Sequence, residues 1–388
     1  MASTRRFFPR PTVSSETHRV TTFELLFDLV FVFAFTQVTG FMSHSHTALG
    51  VLQAMIILGI LWWSWCSYAW LANQTHVNEG VVRIGMCVAI VAMFVVALVI
   101  PEAFEDLEGG LSGPVVLVVA YFIVRFIHVV LYVLAAGDDA RLRKQVMRSS
   151  VAMFSGTALL LAGAIIGGPW QTWLWLAGIA IDILLTYTTS SGGDWRIQSP
   201  VHFAERFGLI VMLALGESIV ATGVGAAQEP VSVEILVGCG LAVILTLSLW
   251  WVYFDGADTA GEHALAKAQG VHRAGIATDA YTYLHFLLIA GVIISALGVE
   301  SVISHVTEHE PFGLFGAVAL FGGTSLYLAG HAFFWRRISG RWSPWRLAGG
   351  VLLLALIPVG AVLLPLVALG IVVVVTAAIA ATDRVTRG

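Results

Sequence analysis

The sequence predicts an all-α, polytopic membrane helix bundle of about 12 transmembrane helices, and three observations carry that reading. The chain of 388 residues is 58% apolar and only 11% charged, against about 45–50% and about 25% in a soluble globular domain. The apolar residues run in blocks, such as Val351 to Ala381, which holds no fixed charge. Blocks of about 20 such residues read as membrane-spanning helices. Finally, basic and acidic residues are sorted between alternate ends of these blocks. The composition excludes a soluble enzyme, a disordered chain and a secreted disulfide scaffold. The runs are continuous rather than alternating, which argues against a membrane β-barrel.

The first helix is placed at 21–42. It is not a cleaved signal peptide, because Glu24 and Asp28 fall in its apolar region and no convincing small-residue cleavage site follows. The second, 48–72, contains Leu61-Trp62-Trp63-Ser64-Trp65. The third and fourth, 82–101 and 114–136, flank an acidic loop with Glu102, Glu105, Asp106 and Glu108. The fifth, 149–167, follows the basic segment Arg141 to Arg148, and the sixth spans 171–190. The next four are placed at 203–223, 233–254, 274–298 and 312–335. The final stretch divides into 346–363 and 365–382, or forms one broken helix, because Pro358 and Pro365 interrupt it.

With the N-terminus in the cytoplasm, every lysine and arginine except Arg125 falls on the cytoplasmic side. The outer loops instead carry acids, including Glu229, Glu234, Glu300, Glu308 and Glu310. This is the positive-inside pattern. It places both termini inside. Cys66, Cys87 and Cys239 all lie in apolar runs, too far apart for a disulfide framework or a CxxC clamp.

The two halves look related. Leu61-Trp62-Trp63-Ser64-Trp65 matches Leu249-Trp250-Trp251-Val252-Tyr253, and GVVRIG at Gly80 matches GVHRAG at Gly270, at nearly the same offset. The expected organisation is a cytoplasmic arm at 1–20, a six-helix repeat at 21–190, a linker at 191–202, a second repeat at 203–382 and a tail at 383–388. Parallel repeats of this kind place a working site between halves near mid-depth.

A charge at the bilayer centre costs about 2.5–3.5 kcal/mol on insertion scales, so buried ionisable residues mark functional positions. Glu24 and Asp28 lie four apart and share a helix face. Two carboxylates this close disfavour joint ionisation, which suits a proton-coupling site. The structural alternative is a cap paired with Arg19, Arg206 or Arg273. Arg125 and His128 share a face of the fourth helix, and Asp182 lies at matching depth on the sixth. These three form a buried ion pair with its neighbour, or the guanidinium binds an anionic substrate group. The seventh helix carries His202, Glu205, Arg206 and Gly216-Glu217-Ser218. Glu205 and Arg206 are expected as a wet interfacial pair. Glu217 sits about 21 Å up the helix at 1.5 Å per residue, with no basic residue on that side. It is expected to be protonated, face water or bind a cation, with Ser218 as a substrate contact. Asp279 is expected to join Glu24 and Asp28 in proton coupling, and His285 to contact substrate. His331 has no assigned role. A lone membrane histidine is more often a hydrogen-bonded core group than a metal or haem ligand, so no metal and no cofactor is expected.

Trp62, Trp63, Trp65, Trp70, Trp250 and Trp251 are expected in an interfacial aromatic belt. The spacing of Gly163 and Gly167 permits close helix contact. The sequence has no Walker loop, HExxH or nucleophile elbow. Asn73-Gln74-Thr75 matches a glycosylation sequon but falls on the inner side, where it carries no meaning.

The run HRVTTFELLFDLVFVFAFTQ from His18, HFAERFGLIVMLALGES from His202, WWVYFD from Trp250, and Gly322-Gly323 followed by LYLAGH resemble the bacterial low temperature requirement protein A family. The resemblance extends from the first helix to the tenth. It departs after Tyr283-Leu284-His285, where Phe286-Leu287-Leu288 replaces an expected proline, leaving the shape of the ninth helix open. The resemblance implies a link to growth in the cold and no established reaction. It places Glu24, Asp28, Glu205, Arg206, Glu217 and His331 within recognisable motifs.

The leading functional expectation is a secondary transporter or permease for a small solute or ion, coupled to protons through the intramembrane carboxylates. A membrane-embedded enzyme or redox protein acting on lipid, quinone or haem is one alternative. A membrane sensor or assembly factor is another. The expected partners are the lipid bilayer and an unknown small solute or ion, without nucleic acid; homo-oligomerisation is left open.

Overall fold

The structure is a computed structural model that describes Glu16 and residues 18–190, 195–228, 230–307 and 310–387, apart from the side chains of 189, 190 and 383–387. Arg5, Arg6, Arg10, Glu229, Glu308, part of the 191–202 linker and the side chains of Arg384 and Arg387 lie outside that description. The described residues form α1 (Thr22–Ser45), α2 (Ala48–Gln74), α3 (Gly80–Leu98), α4 (Gly113–Ala136), α5 (Ala140–Ile166), α6 (Gly168–Ser190) and α7 (Pro200–Ala226). They continue as α8 (Val233–Phe254), α9 (Ala257–Lys267), α10 (Gly270–Ser304), α11 (Gly313–Ser339), α12 (Pro344–Val362) and α13 (Pro365–Arg387). Among the described residues, 11 helical stretches are long and apolar enough to cross a membrane. The helix expected sixth is present as α6 with 23 residues, but Gln171, Thr172, Asp182 and Thr186 thin its apolar run and it is not one of the eleven. The chain is an all-α, multi-pass membrane protein.

Two elements differ from the sequence expectation, and a third decides between its two readings of the final stretch. The helix α5 starts at Ala140, ahead of the expected 149, because Asp139 caps it and accepts from the N–H groups of Arg141 and Leu142 at 3.0 and 3.1 Å. Those bonds satisfy donors that would otherwise end the helix. The Leu142 bond, ahead of the Arg196 ion pair, holds the Asp139 carboxyl below its ordinary range. Helix α9 was not expected; it is short and polar, with Asp258 in its first turn and Lys267 in its last, the order that suits the helix dipole. The final apolar stretch is two helices and not one. Pro358 is carried inside α12, while Leu363 turns extended and Pro365 opens α13. Proline fits a first helical position, where its missing N–H would have no partner anyway.

The chain divides into two compact units. The first holds residues up to Ala34, Gly59–Arg206 and Ala268–Gly275. Its tightest crossing is α5 on α6, where a Cβ at Gly156 would lie 2.7 Å from the carbonyl oxygen of Gly178. The expected Gly163–Gly167 pair is only half of the story. A Cβ at Gly163 would run into Trp175, but Gly167 follows the helix end with φ of 66°, and a Cβ there would meet nothing within 4 Å. Trp62, Trp63 and Trp65 are buried inside the protein rather than placed in a belt.

The second unit holds Phe35–Leu58, Phe207–Lys267 and residues from Ile276 onward. Here α10 and α11 approach backbone to backbone. A Cβ at Gly291 would sit 2.5 Å from Tyr327 N, and one at Gly298 2.4 Å from Leu320 Cα. Both helices contain a wider π segment, Ala277–Tyr283 and Val318–Gly322. In the first, Thr282 Oγ1 donates to Ala277 O at 3.2 Å, and His285 Nδ1 lies 2.9 Å from Ala280 O. Side chains thus take up carbonyls that the widened turn rearranges. The ninth expected helix is therefore distorted without the proline.

Candidate functional site

In the first unit, the start of α1 meets the start of α7. Thr21 and Glu24 form a capping box: Thr21 N donates to Glu24 Oε2 at 2.7 Å, and Glu24 N donates back to Thr21 Oγ1 at 3.3 Å. At α7, Ser199 precedes Pro200 and its Oγ accepts from His202 N at 3.2 Å. The same hydroxyl lies 3.0 Å from the carbonyl oxygens of Glu16 and His18, so the segment leading into α1 is tied to the α7 cap.

Two pairs spaced four apart then face each other. Glu24 and Asp28 on α1 meet His202 and Arg206 on α7, and all four are buried. Glu24 Oε1 lies 2.7 Å from His202 Nε2 and 3.8 Å from Arg206 Nη1. Asp28 Oδ1 accepts from Arg206 Nη2 at 2.8 Å and from Trp65 Nε1 at 2.9 Å. The guanidinium also sits over the Trp65 ring at 5.4 Å.

Asn73 fixes the proton of His202. Its Oδ1 accepts from Gln198 N at 2.7 Å, and its Nδ2 donates to Ser199 O at 2.7 Å with His202 Nδ1 at 3.3 Å. Nδ1 therefore accepts, and the imidazole carries its proton on Nε2, which donates to Glu24. His18 packs on His202 with ring centroids 4.6 Å apart and meets His76 edge-on at 4.6 Å. Burial, and then the neighbouring His202, push the His18 imidazole below its ordinary value.

The expected wet pair Glu205–Arg206 does not form. Successive helical residues point about 100° apart, so Arg206 turns into the core while half-buried Glu205 takes Arg19 and lies 3.4 Å from Val20 N. Deeper in this unit, Arg125 donates to Asp182 at 3.1 Å and to Ser67 Oγ. Thr186 donates to the other Asp182 oxygen at 3.3 Å. His128 lies between the rings of Tyr68 and Tyr132, at 5.6 and 5.5 Å.

The second unit holds a different carboxylate. Glu217 on α7 is 0% exposed, and neither of its oxygens has a hydrogen-bond partner among the described residues. Thr39 and Glu300 are its polar neighbours. The Thr39 hydroxyl donates to Phe35 O at 3.2 Å. Glu300, half-buried, has Ser43 and His44 beside it and packs against α7 at Gly225. Ser218 follows Glu217 in sequence but turns its hydroxyl to Ala214 O at 3.3 Å on its own helix. His285 is saturated by Tyr253 Oη at 2.8 Å and Ala280 O. His331 sits among the rings of Tyr253, Tyr327 and Phe334. Asp279 accepts from Arg337 Nε at 2.9 Å.

Sequence reasoning thus found Glu24, Asp28, His202 and Arg206 and offered Arg206 among three partners for the two carboxylates, which is the one the structure brings to them, but it did not join His202 to the cluster. It missed His18, Asn73 and Ser199, and it placed Trp65 in a belt. The matching four-residue spacings and the Thr21-x-x-Glu24 box were legible signals; Asn73 offered none.

The sequence model of the bacterial low temperature requirement A protein family matches residues 19–381. An uncharacterized protein of Rhizobium meliloti (strain 1021) is 26% identical over 343 residues, which covers 85% of this chain and 80% of that protein. No solved structure matches.

Proposed function

This chain belongs to the bacterial low temperature requirement A family, and from that premise we propose that it is a secondary transporter for a small solute or ion, coupled to protons through Glu217. One observation carries the reading: Glu217 is a fully buried carboxyl whose two oxygens have no hydrogen-bond partner among the described residues. An unpaired carboxylate in a dry interior costs several kcal/mol, so the group persists by holding a proton or meeting a cation. Glu300, Ser43 and His44 continue the polar series toward the α1–α2 loop. The other candidates are already partnered. Asp279 is matched by Arg337, and Arg125 by Asp182, which favours a packing role for both pairs.

In this reading the protein sits in the bacterial cytoplasmic membrane with its basic ends inside. Its two halves descend from a six-helix duplication. The test is electrical. Proteoliposomes on a solid-supported membrane are challenged with a panel of amino acids, polyamines, organic acids and monovalent cations. At least one class should give a pH-dependent transient current that Glu217→Gln abolishes and Glu217→Asp partly keeps. Absence of current across the panel, or an unchanged current in Glu217→Gln, rejects the proposal.

A further inference from the structure

The cluster at the start of α1 and α7 has the donor set of a metal centre. One ligand atom each from His18, Glu24 and His202 lies within 4.8 Å of the others. Tetrahedral zinc bonds of about 2.0–2.2 Å put neighbouring ligands about 3.3–3.6 Å apart, so the widest pair closes by about an ångström while the Glu24–His202 pair, now at 2.7 Å, opens by more than about half an ångström. His18 is 9% exposed, and its Nε2 is buried without a hydrogen-bond partner among the described residues. One donor is held from behind, as metal ligands characteristically are: Glu24 commits Oε2 to the Thr21 cap and keeps Oε1 toward His202. Glu24 and Asp28 outnumber Arg206 by one charge, and that excess is negative.

We propose that His18, Glu24 and His202 bind a divalent transition metal of the zinc class, pinning the segment before α1 onto the start of α7. Two imidazoles and one carboxylate suit Zn2+, Co2+, Ni2+ and Cu2+, and discriminate against Mg2+ and Ca2+. Binding at His202 Nε2 displaces the proton now given to Glu24 and moves it to Nδ1, against the Asn73 contact. Only ions with high imidazole affinity meet that demand. Arg206 keeps its bond to Asp28 at 2.8 Å but lies 3.8 Å from Glu24 Oε1, so its charge opposes the ion and the two carboxylates must offset it.

The site does not depend on the transport reading. The experiment uses full-length protein in nanodiscs, stripped with EDTA and titrated with Co2+ and then Zn2+. One equivalent of Co2+ should produce visible absorption that Zn2+ bleaches and excess Mg2+ leaves intact. His18→Gln and Glu24→Gln should each weaken binding by more than about tenfold, whereas His263→Ala, at an exposed histidine, and Glu217→Gln should not. X-ray absorption of the zinc-loaded wild type should report two imidazoles and oxygen, which keeps the proposal testable if a variant misfolds. No one-equivalent binding, or binding that survives both ligand variants, overturns it and assigns any bound metal to surface histidines.

Discussion

Asn73 shows how a single buried carboxamide decides where a neighbour's proton lies. Its Oδ1 is taken by Gln198 N, so its Nδ2 must face Ser199 and His202. Asn73→Ala removes an acceptor from a part-buried backbone N–H and frees the His202 tautomer. Losing a buried partner costs about 1–3 kcal/mol, and a lower midpoint in detergent melting should report it. Arg206 matters more, since Glu24 and Asp28 both lean on it. Arg206→Met should destabilise by about 3–5 kcal/mol, the cost of stripping a buried pair of one partner. The same logic separates packing from function at Arg125. Arg125→Met alone should be strongly destabilising, while Arg125→Met with Asp182→Leu should recover most of the loss, because a replaced buried pair is often neutral. An unrecovered double variant would contradict the packing role.

At the scale of elements, caps and glycines set where helices start and how closely they approach. Asp139→Ala should cost about 1 kcal/mol through the lost α5 cap. The sign with pH follows from the depressed carboxyl. The cap's contribution is complete above the unfolded value of about 3.9 and fades as pH falls through the lower folded value. Wild type and Asp139→Ala should therefore converge in acid unfolding curves. At the α10–α11 crossing, Gly298→Ala drives a methyl to 2.4 Å from the Leu320 backbone. It should cost about 1–3 kcal/mol by overpacking, measured against Gly240→Ala, which meets nothing within 4 Å. Helix existence was legible because runs of apolar residues leave no other outcome in lipid. The start of α5 and the separate α9 were not, because their polar first turns read as loop until a cap or a dipole-matched end is seen in place. The π segments were invisible for a similar reason: with no proline to announce them, the distortion is carried by Thr282 and His285 bonding back to carbonyls.

For the whole molecule, the composition and block pattern determined by themselves that the chain is an all-α, multi-pass membrane protein. A backbone in hydrocarbon must satisfy its own hydrogen bonds, and these blocks can do so only as helices. The sequence by itself also determined which charges sit within those helices. The Arg125–Asp182 pair was expected from matching depth, and Arg206 was one of three partners offered for Glu24 and Asp28; only the tertiary structure decided the remaining partners and chose among those three. Arg206, next in sequence to Glu205, serves Asp28 instead; Asp279 goes to Arg337; Trp65 leaves the expected belt to donate to Asp28; and Glu217 has only Thr39 and Glu300 as polar neighbours among the described residues. The physical reason is range. Hydropathy and helical period act between residues a few positions apart, whereas a buried charge is settled by whichever side chain the fold brings within about 3 Å, as when His202 reaches Glu24 across most of the first half of the chain.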